Sequence, residues 1–303
     1  MTRPVAALRQ VRVRVPLRVP LAGAGHREAT LLQGPSGWGE WSPLPGYPCD
    51  PACAWQAAEE AAAGTWPAPV RTAVAVNGLV PAVGPEEAAR LAGEARAAGI
   101  TTLKVKVGGG PLGADLDRVA AVRRELGPAG RIRLDANGAW SPEEAQTALR
   151  SQALARYDLE LVEQPVATLE ELARLRRRVA PRLAADECVR GIDDARRLAA
   201  LEAADALVVK VQPLGGVRAA LAVAEAAGVP VIVSSLYETS IGLAAGLALA
   251  AALDDLPFAC GLGTAALLAG DVVADPLVPA AGGMLAVRRP VPDPARLERF
   301  GVR

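Results

Sequence analysis

The sequence has little histidine, cysteine or aromatic side chain, and this scarcity excludes several kinds of site. One histidine, His26, occurs in 303 residues, and aromatic residues make up 3%. The four cysteines are Cys49, Cys53, Cys188 and Cys260. They form no zinc pattern with a single histidine and are too scattered for a disulfide framework. We therefore expect free thiols in a cytoplasmic protein.

The charge balance excludes two further classes of partner. Lys+Arg 33 and Asp+Glu 33 cancel to a net charge of zero, and no basic run is long enough for a nucleic-acid surface. No apolar stretch is long enough to span a bilayer, and residues 1–15 alternate like a strand rather than a signal peptide. The sequence predicts a small-molecule partner and no nucleic acid or membrane, and it leaves self-association open.

Lysine and asparagine are also scarce. Only three of the 33 basic residues are lysine (Lys104, Lys106 and Lys210), and the asparagines are Asn77 and Asn137. Arginine keeps its proton in proteins whereas lysine can lose it, so the retained lysines are candidates for a titratable role. The alternative is that these few lysines and asparagines have no special role and survive by chance in a chain with a coding bias against them.

From residue 72 onward, short β-rich runs alternate with helical runs. Eight such runs begin 29, 30, 28, 23, 24, 24 and 27 residues apart. They are TAVAV (72–76), TTLKVKV (101–107), RIRLD (131–135), LELVE (159–163), RLAAD (182–186), ALVVK (206–210), PVIVS (230–234) and PFACGL (257–262). Helices are predicted over 85–98, 112–126, 141–153, 168–179, 191–202, 216–227 and 240–253. This rhythm predicts the α/β class and a (β/α)8 TIM barrel.

Residues 1–70 do not follow the rhythm. Segments 11–21 and 29–47 read as antiparallel strands, 52–64 as a helix, and 282–288 as a strand returning to this region. We expect an α+β capping domain over 1–70, completed by about 282–303, on a barrel over 71–281. Two loops, 21–26 and 46–53, are candidate lids.

In barrel enzymes the chemistry lies at the carboxyl ends of the strands. Those ends carry all three lysines and both asparagines, so chance placement is a poor explanation. In chain order they are Asn77, Lys104, Lys106, Asp135, Asn137, Glu163, Asp186, Lys210, Ser234, Ser235, Gly261 and Gly263.

Three carboxylates stand on consecutive predicted strands. Asp135, Glu163 and Asp186 are 28 and 23 residues apart. Adjacent strands lie about 4.8 Å apart, so these oxygens can converge on one ion. Oxygen ligands without histidine or thiolate favour Mg2+, or Mn2+, over zinc. A structural role for Asp186, serving the next helix with Glu187, is the alternative.

The lysines flank these acids in strand order. Lys104 and Lys106 precede them and Lys210 follows, which gives access to two faces of a substrate. A like charge, a divalent cation and desolvation each lower a lysine pKa, so Lys104 is expected to make Lys106 a general base. In the alternative, the pair only neutralises the acids.

A metal and a strong base together suggest proton abstraction beside a carboxylate, with the metal stabilising an enediolate.

These motifs resemble the muconate-lactonising-enzyme subgroup of the enolase superfamily over essentially the whole chain. The matching stretches are K-V-K (104–106), L-D-A-N-G (134–138), V-E-Q-P (162–165), A-D-E (185–187) and V-V-K-V-Q (208–212). The resemblance implies a modified, (β/α)7β-like barrel with a capping domain. It also implies Lys106 as base, Lys210 opposite it, and the three carboxylates as Mg2+ ligands.

Within the subgroup, GWGEWSPLPGY (37–47), VNGLVP (76–81) and SSLYETSIG (234–242) resemble the o-succinylbenzoate synthases of the actinobacterial type. This implies dehydration of a succinyl-hydroxycyclohexadiene carboxylate on the way to menaquinone, with Lys210 stabilising the enolate by a cation–π contact. Ser234, Ser235 and the backbone near 261–263 are expected to hold the succinyl tail.

The eighth run, ACGLGT (259–264), lacks the acidic pair usual in the dipeptide epimerases of this subgroup. Muconate cycloisomerisation and N-succinylamino-acid racemisation remain open, because they use the same lysines and metal. A catalytically silent barrel scaffold is disfavoured, because all the expected ionisable residues are intact.

Overall fold

The N-terminal part of the chain forms a small antiparallel sheet with one helix. The computed structural model describes residues 8–21 and 24–302. Strands β1 (Arg9–Leu21), β2 (Ala24–Gly34) and β3 (Gly37–Trp41) pair in that order, and α1 (Pro51–Ala63) follows. Alternation along β1 turns Val13 and Val15 inward, where they pack with Phe300. We call β1–β3 the N-terminal sheet.

Seven parallel strands form the barrel. Strands β5 to β11 are hydrogen-bonded in chain order, and β4 pairs instead with β12. The strands are β4 (Ala73–Ala75), β5 (Gly78–Val80), β6 (Thr102–Lys106), β7 (Arg131–Asp135), β8 (Leu159–Glu163), β9 (Leu183–Ala185), β10 (Ala206–Lys210), β11 (Val231–Ser234) and β12 (Met284–Ala286). Isolated parallel bridges, Val76 to Cys260 and Ser234 to Gly261, close the ring. The fold is therefore a modified (β/α)8 barrel of the (β/α)7β type with an α+β cap.

Helices follow most of the barrel strands, as the sequence predicts. They are α2 (Pro85–Ala97), α3 (Leu112–Leu126), α4 (Pro142–Arg150), α5 (Gln152–Ala155), α6 (Leu169–Arg176), α7 (Ile192–Leu201), α8 (Val211–Leu214), α9 (Val217–Ala227), α10 (Ser240–Ala252) and α11 (Pro294–Phe300), with a 3-10 helix over Gly263–Leu267. Ser141 and Thr168 begin α4 and α6 with capping boxes to Glu144 and Glu171. Within residues 8–21 and 24–302, no helix is long and apolar enough to cross a membrane.

Three of the predicted elements differ in the structure. The run 72–76 is not the first strand of the parallel sheet, because β4 pairs antiparallel with β12 and β5 takes that place. The run 257–262 forms only the two closing bridges. The predicted helix 141–153 ends at Arg150, because the extended backbone of Ser151 separates it from α5.

The C-terminal segment contacts both parts of the chain. β12 pairs with β4 rather than with the N-terminal sheet, whereas Gly301 bridges Val13 and the Val302 amide donates to the Arg12 carbonyl. These contacts support the division into a cap over 1–70, completed by about 282–303, and a barrel over 71–281, which we retain as a proposal. Of the predicted lid 21–26, residues 22 and 23 lie outside the described residues.

The barrel interior below the strand ends holds a cluster of buried apolar side chains and the ion pair of Arg133 with Glu160. Its buried apolar side chains are Leu161, Ala184, Ala206, Val208, Ile232 and Phe258. The guanidinium of Arg133, which is 0% exposed, bonds Glu160 and donates to the Ala259 carbonyl at 2.8 Å. This filled interior leaves chemistry to the upper layer of inward-facing residues.

Shortening Val208 to alanine is expected to destabilise the protein by about 2 kcal/mol, because two methyl groups leave a close-packed interior. The same change at Val291, which is 68% exposed, should have almost no effect. Urea unfolding of both variants measures the difference. Equal losses would contradict this description of the interior.

Candidate active site

The three predicted carboxylates lie at one edge of the parallel sheet. Asp135 and Glu163 end β7 and β8 and are paired in register, and Asp186 directly follows β9. All three are at least 98% buried, with exposures of 0%, 1% and 2%. Carboxyl ends of parallel strands meet at the same edge, so the sequence order places the three acids in a row.

Lys104 and Lys106 bind the first two acids. The Lys104 Nζ lies 2.7 Å from Asp135 Oδ2 and 2.8 Å from Glu163 Oε1. The Lys106 Nζ lies 2.7 Å from the same Asp135 oxygen and also donates to Asn137 Oδ1. Two adjacent ammonium groups are tolerated here because they share carboxylates, which is the arrangement expected if the pair neutralises the acids. Whether Lys104 tunes Lys106 stays a prediction.

Lys210 approaches from the far side of the row. Its Nζ donates to Asp186 Oδ1 at 2.5 Å and to the Tyr47 hydroxyl at 3.3 Å. The Tyr47 ring centroid is 4.5 Å from the same nitrogen, and the Tyr47 hydroxyl donates to Asp186 at 2.9 Å. Tyr47 comes from the predicted lid 46–53, so that segment of the cap covers the barrel end.

Burial and the opposite charges shift the pKa values strongly. Burial disfavours the ammonium of Lys104, but Asp135 and Glu163 outweigh it and raise the Lys104 pKa; Asp186 does the same for the Lys210 pKa. Burial and then the Asp135 charge raise the pKa of Glu163 to about 7. The pKa of Asp135 is lowered, because Lys104 and Lys106 overcome the effect of burial.

The donor set suits a hard divalent cation. Three buried carboxylates on neighbouring strands offer oxygen ligands, which Mg2+ and Mn2+ prefer. Among the described residues, no group of three or more acidic, histidine or cysteine side chains is arranged to hold a metal ion, and each of these three carboxylates is bound to a lysine. The carboxylate oxygens are of the kind that bind a hard divalent cation. In this structure the lysine ammonium groups balance the negative charge of the three carboxylates.

Gln164 and Glu187, to which the sequence analysis gave no role in the site, make hydrogen bonds next to these acids. Gln164 accepts from the Asp186 amide at 2.7 Å, and Glu187 accepts from the Asn137 side chain at 2.8 Å. Asn137 and Gln164 have φ of +46° and +37°, an unfavourable backbone for non-glycine residues that is typical of functional sites. Both residues directly follow an acid in the V-E-Q-P and A-D-E motifs, and this position could have identified them as part of the site.

The other predicted residues lie where the barrel closes. Asn77 accepts from Arg133 at 3.3 Å, one layer below Asp135, and none of its described hydrogen bonds reaches the lysines. The Ser235 hydroxyl donates to the Gly261 carbonyl at 2.6 Å and lies 2.9 Å from the Thr264 hydroxyl. Ser234 pairs in register with Lys210 and stands against Gly261, where an added Cβ would come 2.5 Å from the Ser234 hydroxyl. The backbone of Gly263 begins the 3-10 helix beyond them.

Family models cover both parts of the chain. A model described as "Enolase C-terminal domain-like" matches residues 87–291, and one described as "Enolase N-terminal domain-like" matches residues 12–63. The chain belongs to the enolase superfamily. This membership confirms the family predicted from the strand-end motifs.

Curated relatives of this enolase-superfamily chain share one name. The "o-succinylbenzoate synthase" of Thermobifida fusca (strain YX) is 55% identical over 278 residues, covering 91% of this chain and 86% of that protein. The protein of the same name from Mycobacterium tuberculosis (strain ATCC 25618 / H37Rv) is 47% identical over 294 residues, covering 95% and 87%.

Solved structures share the fold. The L-Ala-D/L-Glu epimerase from Bacillus subtilis superposes with a TM-score of 0.84 at 26% identity, covering 95% of this chain and 97% of that one. The muconate lactonizing enzyme from Pseudomonas putida gives 0.84 at 23% identity, covering 98% and 99%, and supports the fold alone.

Changing Ser235 to alanine is expected to lower the free energy of unfolding by about 1 kcal/mol, because the Gly261 carbonyl loses a buried hydrogen bond. Ser234 is the matched control, since its hydroxyl makes no such bond to the described residues. Thermal and urea unfolding measure both variants. A larger loss for Ser234→Ala would contradict the assignment of Ser235 to the framework.

Proposed function

We propose that this protein is an o-succinylbenzoate synthase, a dehydratase of menaquinone biosynthesis. Its reaction converts 2-succinyl-6-hydroxy-2,4-cyclohexadiene-1-carboxylate to o-succinylbenzoate and water. The observation that carries the proposal is the row of three carboxylates with Lys106 on one side and Lys210 on the other. The relatives named o-succinylbenzoate synthase, at 55% and 47% identity over most of the chain, support o-succinylbenzoate as the product.

Lys106 is the proposed base. Its side chain is 26% exposed, against 6% for Lys210, so it is the lysine with better access to a substrate above the strand ends. Neutral Lys106 would take the proton alpha to the ring carboxylate, and the C–H electron pair would delocalise into that carboxylate. As this pair returns to form the new ring double bond, the C–O bond would break, and Lys106 would give its proton to the departing hydroxyl on the same face, which releases water.

Lys210 is proposed to stay protonated. Asp186 raises its pKa against the effect of burial, which keeps a positive charge beside the reacting ring. There it would favour the negative charge that develops as the proton leaves, partly through a cation–π contact. Lys104, bonded to both Asp135 and Glu163, would hold these two side chains in place.

Asp135, Glu163 and Asp186 are proposed to hold Mg2+, with Mn2+ as an alternative. A bound divalent cation would stabilise the charge that develops on the substrate carboxylate. Asn137, whose side chain reaches Lys106 and Glu187, is placed to contact that carboxylate.

We propose that the succinyl tail of the substrate binds where the barrel closes, at the bridge between Ser234 and Gly261. Ser234 lies in register beside Lys210, Gly261 bridges Ser234, and Gly263 begins the 3-10 helix two residues later; none of these three carries a competing acid. Ser235 and Asn77 have their polar atoms engaged within the protein, so we propose that they support this wall of the site.

Turnover of the hydroxycyclohexadiene substrate with Mg2+ tests the function directly. We expect rapid loss of diene absorbance, a fall of at least about 1000-fold in Lys106→Ala, since the proton has no acceptor, and loss of turnover with a chelator. Arg196→Ala, an exposed side chain on α7, is the control and should turn over normally. No turnover by folded, Mg2+-loaded protein would refute the synthase assignment.

N-succinylamino-acid racemisation is tested by alpha-proton exchange in D2O. A racemase needs proton exchange from both lysines, whereas the synthase needs one base. We expect any exchange to retain configuration and to disappear in Lys106→Ala. Equal exchange from both enantiomers, with one route lost in Lys106→Ala and the other in Lys210→Ala, would favour the racemase.

A further inference from the structure

Arg27 places a buried guanidinium between the N-terminal sheet and the barrel. It lies on β2 and is 5% exposed. It donates to the Ser42 carbonyl, to the Pro43 carbonyl at 3.4 Å and to the Tyr237 carbonyl at 3.3 Å. One side chain therefore binds the backbone of two segments that come from different parts of the chain.

Each of these segments carries a tyrosine beside the candidate site. Residues 42–43 lead directly to Tyr47, whose hydroxyl binds Asp186 and Lys210. Tyr237 lies in the loop that follows β11, three residues after Ser234, and so at the same end of the barrel. Arg27 itself touches none of the proposed catalytic groups.

Parts of both segments are open to movement or strained. Pro43, Leu44 and Pro45 line a cavity of about 310 Å3 together with residues of β1 and β2. Tyr237 has φ of +62°, a conformation that a bulky residue keeps only where its surroundings impose it. The hydrogen bonds from Arg27 supply part of the constraint on the backbone of residues 42–43 and of Tyr237.

The surroundings keep the guanidinium charged and in place. Burial lowers its pKa, and the nearby carboxylates of Glu238 and Glu40 oppose that effect. Gln212 accepts from the Ser42 amide at 2.9 Å and donates to Glu238 at 3.3 Å, which joins the two segments a second time. A planar fork of donors matches several carbonyls at once, and a lysine ammonium does not.

We propose that Arg27 is a positioning residue for the reaction, which holds Tyr47 over Lys210 and Asp186 and fixes the strained backbone of Tyr237 at the same end of the barrel. The assignment rests on the proposed function, because it takes these two residues as part of the working site. It makes the N-terminal sheet a contributor to turnover through backbone contacts, without a side chain of that sheet touching substrate.

The test compares Arg27→Lys with Arg14→Lys. Arg14 lies on β1, is half exposed and pairs with Glu28, so it is a matched control for the same substitution. We expect kcat/KM to fall about 10- to 100-fold in Arg27→Lys, as for a small misplacement near the chemistry, and to stay normal in Arg14→Lys. If Arg27→Lys does not fold, as judged by circular dichroism, Arg27→Gln keeps two donors and takes its place.

A double-mutant cycle with Tyr47→Phe separates positioning from general destabilisation. If Arg27 acts through Tyr47, the double variant loses little more kcat/KM than the worse single variant. Losses that multiply would overturn the proposal.

Hydrogen exchange tests the same contact without turnover. We expect faster amide exchange in residues 42–50 and 235–239 of Arg27→Lys, and no change there in Arg14→Lys. Unchanged exchange in both segments would overturn the proposal even if the wild type is an active synthase. Faster exchange in Arg27→Lys, combined with a wild type that lacks synthase turnover, would instead sustain the Arg27 contact and refute the function.

Discussion

The pairing of three lysines with three buried carboxylates is the constraint on which the barrel end depends. Desolvating a charge costs several kcal/mol per ion, and removing one partner of a buried pair costs about 3–5 kcal/mol. Lys104 bonds two acids, Lys106 shares Asp135 with it, and Lys210 holds Asp186. The charges are therefore tolerated only as a set, and a set of this kind offers both a cation site and ionisable amines.

Much of this set was predictable because it is local in sequence. The βα rhythm located strands β6 to β11, and the position of each acid or lysine at the end of its run followed from that rhythm. What failed was long-range pairing: run 72–76 pairs with β12, about 200 residues away, and run 257–262 forms only bridges. Tyr47 and Arg27 reach the barrel across 139 and 210 residues of chain, and no local pattern encodes such contacts.

The junction between cap and barrel explains the GWGEWSPLPGY stretch in physical terms. The buried Glu40 carboxylate accepts from the Thr239 and Gly242 amides at 3.2 and 3.0 Å, where α10 begins. Free amides at a helix start favour a carboxylate, so Glu40 joins β3 to the barrel as an N-terminal cap supplied by another segment. Ser42 continues the junction through Gln212 and leads to Tyr47. The same stretch thus anchors the cap and delivers a side chain to the site.

The two sides of the acid row are not equivalent, and this asymmetry bears on the chemistry. Lys210 is held by Asp186 and lies against the Tyr47 ring, with 6% of its side chain exposed, whereas Lys106 is 26% exposed. A reaction that exchanges protons on both faces needs two accessible amines. A dehydration that forms an aromatic ring needs one base and one fixed positive charge. The geometry suits the second requirement, because the lysine held by Asp186 is also the more deeply buried of the two.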